Sequence, residues 1–184
     1  EERDRRQMPP RGGVLFAGSS TIRMWKTLAM DFPDHSVINR GFGGSQLADS
    51  VRFSDRIITP YHPRQVVIYA GGNDINAGKD PDLVFGDFVA LVKAIHRDSP
   101  KARIAFIASA PNPLRWKQVE KVKRLNSLVA DYCRRHGLTF IDVFPLMLGA
   151  DGQPKPEIFR NDRLHMNDQG YAIWKAAVAP HLVQ

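Results

Sequence analysis

One cysteine, Cys133, stands in a chain of 184 residues, so no internal disulfide and no cysteine-based metal cluster can organise it. It falls on the apolar stripe of a predicted helix, where a thiol is a buried structural group rather than a reactive one. No apolar run approaches the roughly 18 residues of a membrane span, and stable membrane insertion is not expected. Internal repeats, linkers and low-complexity tracts are also missing. With 43% apolar residues, the chain reads as one domain able to bury its own core. There is no Gly-x-x-x-x-Gly-Lys and no Gly-x-Gly-x-x-Gly segment, which removes the usual phosphate and dinucleotide cradles. No cofactor and no metal are expected. Acidic residues are the scarcer charge, 19 against 26 Lys plus Arg for a net +7. That balance permits attraction to nucleic acid, anionic lipid or acidic glycan. The basic clusters (Arg3-Arg5-Arg6; Arg115-Lys117-Lys121-Lys123-Arg124; Arg134-Arg135) are not interleaved with stacking aromatics, so they read as solvated faces and no nucleic-acid partner is expected. The oligomeric state is not legible. No signal peptide is visible, but the chain begins with Glu1 and reads as processed or trimmed. Its compartment stays open: cytoplasmic, or periplasmic or secreted if a signal has been removed.

What is present begins at Val14-Leu15-Phe16-Ala17, a buried strand too short for a helix, which ends in Gly18-Ser19-Ser20-Thr21. Residues 1–13 before it form an N-terminal arm, charged and aperiodic over 1–11, and 14–184 form the domain. Thr21, Ile22, Met24, Trp25 and Leu28 read as one helix. Further strands follow at Ser36–Asn39, Gln65–Ala70, Ile104–Ala108 and Thr139–Val143. Between them lie a helix from Gln46 to Pro60, one capped by Asp80-Pro81, and one from about Trp116 to Arg135 stopped by Gly137. Pro145 to Arg163 reads as a long loop, and Asn167 or Asp168 caps a final helix. Strands that are mostly fully apolar, alternating with helices, predict an α/β fold, a flavodoxin-like three-layer α/β/α sandwich. Its five-stranded parallel sheet should have the order 2-1-3-4-5.

In that order the carboxyl ends of the first three strands are neighbours. Three turns should therefore meet: Gly18-Ser19-Ser20, Gly41-Phe42-Gly43-Gly44 and Gly71-Gly72-Asn73-Asp74. Asp162-Arg163-Leu164-His165, just before the last helix, can reach the same edge. A serine hydroxyl, an imidazole, a carboxylate three positions from it and a set of N–H donors are what acyl transfer requires. Each also has a plainer use, since Ser19, Ser20 or Thr21 can cap a helix and glycine turns are often only turns.

These residues resemble the blocks of the SGNH hydrolases, the GDSL-like esterase and lipase family. Phe16-Ala17-Gly18-Ser19-Ser20 is similar to the first block, with Ser19 where aspartate is usual. Asn39-Arg40-Gly41-Phe42-Gly43-Gly44, Gly71-Gly72-Asn73-Asp74 and Asp162-x-x-His165 are similar to the other three. The resemblance implies a serine esterase acting through an acyl-serine intermediate, with Ser20, Asp162 and His165 catalytic and Ser20, Gly44 and Asn73 forming the oxyanion hole. Asp142 is a rival orienting carboxylate. The look of the second block is shared with platelet-activating-factor acetylhydrolase-like proteins and carbohydrate acetylesterases. It implies short acyl groups such as acetyl and a small-molecule or glycan-linked ester as substrate. Trp25, Phe42, Asn112 and Arg115, with Trp116 and Arg160, are candidates for the substrate pocket by position. The alternative is a non-catalytic ligand-binding module on the same flavodoxin-like fold.

Overall fold

The computed structural model describes residues 2–183. Among them, five parallel strands form one sheet: β1 (Val14–Gly18), β2 (Val37–Gly41), β3 (Gln65–Tyr69), β4 (Arg103–Ile107) and β5 (Thr139–Ile141). Their order is β2-β1-β3-β4-β5, as the alternation of apolar strands and helices predicts. Every residue of β1 is buried, because helices cover both faces of a parallel sheet.

The helices are α1 (Glu2–Arg6), α2 (Ser20–Met24), α3 (Leu28–Asp31), α4 (Leu47–Arg52), α5 (Ser54–Ile57), α6 (Gly72–Asn76), α7 (Pro81–Asp98), α8 (Val119–His136) and α9 (Asp168–Val178). Strand pleating divides the core in two. Leu15, Ala17, Val66, Ile68, Ile104 and Phe106 face one layer with residues of α4, α7 and α8. Val14, Phe16, Val67, Ala105 and Ile107 face the other, built from α2, α3 and α9.

Several elements differ from expectation. The single helix predicted after β1 is two, α2 and α3, because the chain leaves helical geometry at Trp25 (φ −74°, ψ 78°). That break seats the Trp25 indole in the core against Phe16, Phe32, Tyr171 and Trp174. The helix from Gln46 is likewise α4, α5 and a 3-10 turn at Thr59–Tyr61. A reciprocal box at its start has Gln46 and Asp49 each bonding the other's backbone N–H. Gly72–Asn76, read as a turn, forms α6. The long helix begins as a 3-10 turn at Trp116–Gln118 before α8. The segment from Pro145 to Arg163 contains 3-10 turns at Pro145–Met147 and Pro156–Ile158, and short bridges pair Leu148 with Pro154 and Phe159 with Met166. The arm is partly helical, and Asp4 of α1 binds Arg40 and Tyr61 of the domain at 2.7 and 2.6 Å.

Level strand ends set the position of the site. Gly18 pairs with both Gly41 and Tyr69, so the turns after β1, β2 and β3 leave the sheet side by side. Gly18 has φ +146°, and a Cβ there would lie 1.9 Å from the Tyr69 carbonyl oxygen. A Cβ on Gly41 would lie 2.3 Å from the Arg23 amide. Both positions exclude a side chain, and the backbone of β2 therefore packs directly on α2.

Candidate active site

Ser20 is the first residue of α2, with Ser19 at the N-cap in extended geometry. The Ser19 side chain makes no capping bond, so the cap reading of these hydroxyls finds no partner there. The N–H groups of a first helical turn have no intrahelical acceptor, and the helix dipole favours negative charge beside them. Asn39 fixes this turn from the next strand, donating to the Ile22 carbonyl at 2.6 Å while accepting from the Gly41 amide at 3.0 Å.

Ser20 Oγ lies 2.9 Å from His165 Nε2, and His165 Nδ1 lies 2.6 Å from Asp162 Oδ2. An ionised carboxylate only accepts, so Nδ1 carries the proton and Nε2 of the neutral ring accepts from the serine hydroxyl. The other Asp162 oxygen accepts the backbone N–H groups of Leu164 and His165 at 3.0 and 2.9 Å. Burial works to raise the Asp162 pKa, but the hydrogen bonds from His165 and these amides outweigh it and hold the carboxyl at about 2. Arg163 adopts φ +57° inside this tight turn. The turn is closed by Arg160 N–H on the His165 carbonyl at 2.8 Å and tied to the next wall by Leu114 N–H on the Arg163 carbonyl at 3.1 Å. Behind it, Tyr171 of α9 donates to the Thr21 carbonyl at 2.8 Å, joining the helix that follows the histidine to the helix that bears the serine.

Asn73 lies in α6. Its Nδ2 donates to the Ser45 carbonyl at 3.0 Å, and its Oδ1 accepts from Arg115 Nη1 at 2.9 Å. Arg115 thus fixes which end of the amide is the oxygen, leaving the second Nδ2 hydrogen for another acceptor. Ser45 itself is anchored through its hydroxyl to the Phe42 and Gly18 carbonyls at 2.9 and 3.3 Å. Gly44, at φ +75°, precedes this anchored residue, and its N–H has no acceptor among the described residues. Buried Asp74 supports the same loop by accepting the Leu47 amide at the start of α4 with both oxygens. Burial raises its pKa.

Ser20, Asn73, Asn112, Arg115, Trp116 and His165 line one hollow, whose inner wall includes Tyr69, Phe144, Met147, Phe159 and Trp174. Gly44 is not among the residues that line it, and its neighbour Ser45 is joined to the lining by the Asn73 amide. Trp25 is no part of it: its ring is core, and its N–H donates to Asp31 at 2.7 Å. Phe42 packs on Phe53 and lines a separate hollow with Arg40 and Arg56. Arg160 turns its Nε to the Met166 carbonyl at 2.9 Å. The rival carboxylate, Asp142, accepts the Phe144 amide at 3.1 Å and lines a different hollow with Lys123 and Phe140. Cys133 is buried, its thiol pushed up to about 12 by that burial. Among the described residues no group of three or more His, Cys, Asp or Glu could hold a metal ion, and no helix is long and apolar enough to cross a membrane. The Arg115 link to Asn73 escaped the sequence reading. Its one legible trace is an arginine three positions after Asn112, whose side chain accepts the Arg115 amide at 2.9 Å.

No curated protein matches the sequence. Solved structures resemble it over nearly its whole length. A protein from Streptococcus pneumonia provisionally named a platelet activating factor is 20% identical, with a TM-score of 0.87 over 98% of this chain and 88% of that one. A GDSL-like lipase from Bacteroides thetaiotaomicron is 21% identical, with a TM-score of 0.81 over 91% and 86%. An acetyl-xylooligosaccharide esterase from Geobacillus is 14% identical, with a TM-score of 0.71 over 94% of each chain. At these identities the likeness establishes the fold, which is the three-layer sandwich described above. The family follows from the sequence itself, since the model of the GDSL-like lipase/acylhydrolase family matches residues 13–173: the chain belongs to that family of carboxylic ester hydrolases.

Proposed function

We propose that the chain is a serine esterase that cleaves esters of short acyl groups, acetyl foremost, through an acyl-serine intermediate. The observation that carries this reading is the continuous chain of hydrogen bonds from Ser20 through His165 to Asp162, at the amino end of α2 and beside Asn73. Ser20 Oγ attacks the ester carbonyl carbon as His165 Nε2 takes the hydroxyl proton. Asp162 holds the ring in that tautomer and stabilises the imidazolium. The developing oxyanion is met by the N–H groups of Ser20 and Gly44 and by the Asn73 amide. The carbonyl carbon–alkoxy oxygen bond then breaks, and His165 returns the proton to the departing alcohol. Water repeats the sequence on the acyl-serine, releasing the acid and restoring Ser20.

Support for a short acyl group comes from the bulky side chains that close the inner wall, Tyr69, Phe144, Met147, Phe159 and Trp174. They leave little depth for a long chain. The acetyl-xylooligosaccharide esterase among the structural neighbours points the same way.

The test is hydrolysis of p-nitrophenyl esters from acetate to long acyl chains by wild type and Ser20→Ala. Wild type should be fastest on the shortest esters, and the variant should lose at least about a thousandfold in kcat. Activity retained by Ser20→Ala would remove the serine from the mechanism. A folded wild type inert on every ester would favour the ligand-binding module instead.

A further inference from the structure

Among the described residues Arg115 is the one full cation lining the catalytic hollow, and no acidic side chain among them lines that hollow with it. Its guanidinium is half buried, and burial lowers its pKa. A charge held away from water without a counter-ion is costly. The cost is met only in part, because a single nitrogen, Nη1, makes the protein contacts: 2.9 Å to Asn73 Oδ1 and 3.2 Å to the Gly72 carbonyl. Nε and Nη2 have no hydrogen-bond partner among the described residues. Neither is sealed from solvent in the way that the partnerless Nε atoms of Arg40 and Arg64 are. These two nitrogens share one edge of the planar guanidinium, where their N–H bonds run side by side. That edge is the fork matched by two oxygens of a planar anion. Asp162, the carboxylate bound to His165, is already occupied by His165 Nδ1 and two backbone amides.

We infer that Arg115 is a specificity residue that binds a carboxylate carried by the ester substrate. The inference rests on the esterase reading and narrows it: the substrate is the ester of an acidic molecule, with its carboxylate on either the acyl or the alcohol portion. Through Nη1 the same arginine positions Asn73, so the carboxylate and the oxyanion donor are registered to one planar group. Occupation of the fork would then orient the scissile carbonyl toward Ser20.

Two pairs of esters distinguish the sources of the carboxylate. On the acyl side, p-nitrophenyl hydrogen adipate is compared with p-nitrophenyl hexanoate. On the alcohol side, 4-acetoxybenzoate is compared with 4-acetoxybenzamide. In one pair, wild-type kcat/KM for the acidic ester should exceed that of its neutral partner by about tenfold or more, the scale of a charge-assisted hydrogen bond. Arg115→Gln should slow both esters, because Asn73 loses its holder, but the ratio should fall to about one. Arg115→Lys, which keeps the charge without the fork, should retain part of it. Ratios near one in both pairs for wild type, or a preference that survives in Arg115→Gln, would overturn the assignment while leaving the esterase reading intact. A folded wild type inert on all four esters would remove both. Should Arg115→Gln fail to fold, inhibition of wild type on p-nitrophenyl acetate decides the matter. Adipate or benzoate should inhibit more strongly than the corresponding amide, and equal inhibition would refute the fork.

Discussion

Of the three residues in the proposed triad Asp162 is the most open to water, its side chain 46% exposed against 20% for His165. Its carboxyl is nevertheless held at about 2 by the His165 ring and two amides, against the opposing effect of burial. A depressed pKa means that the native state favours the carboxylate. Whatever stability Asp162 supplies is therefore complete above the ordinary carboxylate range, near pH 4, and is lost only as pH falls through about 2. Acid-side loss of kcat/KM above about pH 4 is then not a protonation of Asp162. Asp162→Asn should lower kcat by roughly a thousandfold or more by permitting the wrong tautomer, and a pH–rate profile of the variant checks it. A variant near wild-type rate would refute the orienting role. At this scale the sequence was informative where chemistry is carried by local spacing. Asp162 and His165 are three positions apart, and Ser20 and Asn73 each end a recognisable turn. Arg115 and Asn73 touch across 42 positions, a contact that depends on how two loops leave the sheet, and no local pattern announces it. Trp25 misled for a related reason: an aromatic soon after a candidate nucleophile suits a pocket wall as well as a core.

Among the elements, α9 has the most direct hold on the site, since it follows His165 and packs on α2. Trp174 meets Tyr69 edge-on at a centroid distance of 4.6 Å, and its N–H reaches Met147 Sδ at 3.3 Å. Tyr171 lies tilted against Trp25 and donates to the Thr21 carbonyl. Tyr171→Phe keeps the ring and removes that bond, leaving a carbonyl in the first turn of α2 without its partner. A loss of about 1 kcal/mol in unfolding free energy is expected, together with a fall in kcat larger than any rise in KM. Urea titration and steady-state kinetics check the two, and an unchanged midpoint would show that water replaces the phenol. Strand positions were readable because both faces of a parallel sheet are covered, which makes the central strands β1, β3 and β4 almost continuous apolar runs. Short helices were not. The division of α2 from α3 follows from seating Trp25, and α6 hides in Gly-Gly-Asn-Asp, where composition argues for a turn. Gly71 shows why glycine is required there: its φ is +106°, and a Cβ would lie 2.6 Å from a Leu125 methyl.

At the scale of the whole molecule, the sheet separates two cores, and the site lies where loops from both layers meet at the carboxyl edge. The arm belongs to this arrangement more closely than its composition suggests. Glu-Arg-Asp-Arg-Arg has no apolar period to mark a helix, yet α1 places Asp4 against Arg40 and the Tyr61 hydroxyl. Arg40 also lies over the Tyr61 ring, 4.3 Å from its centroid, and bonds the Asn39 carbonyl at 2.9 Å. Asn39 is the residue that grips α2, so the arm is coupled to the turn that bears Ser20 through two neighbouring side chains. Burial tends to raise the Asp4 pKa, but the Tyr61 hydrogen bond and the Arg40 charge outweigh it and leave the carboxyl lowered. Its contribution to stability is therefore whole above the ordinary carboxylate range and lost as pH falls through the depressed native value. Asp4→Ala leaves the Arg40 guanidinium without this counter-ion, and its Nε is already buried without a partner. A destabilisation of about 2 kcal/mol near neutral pH is expected. It should shrink as acid protonates Asp4 in the wild type, bringing the two melting curves together. Thermal unfolding across that pH range decides the matter. Equal melting temperatures at neutral pH would mean that the arm contributes nothing to the fold, and a gap that persists in acid would assign its effect to packing rather than charge.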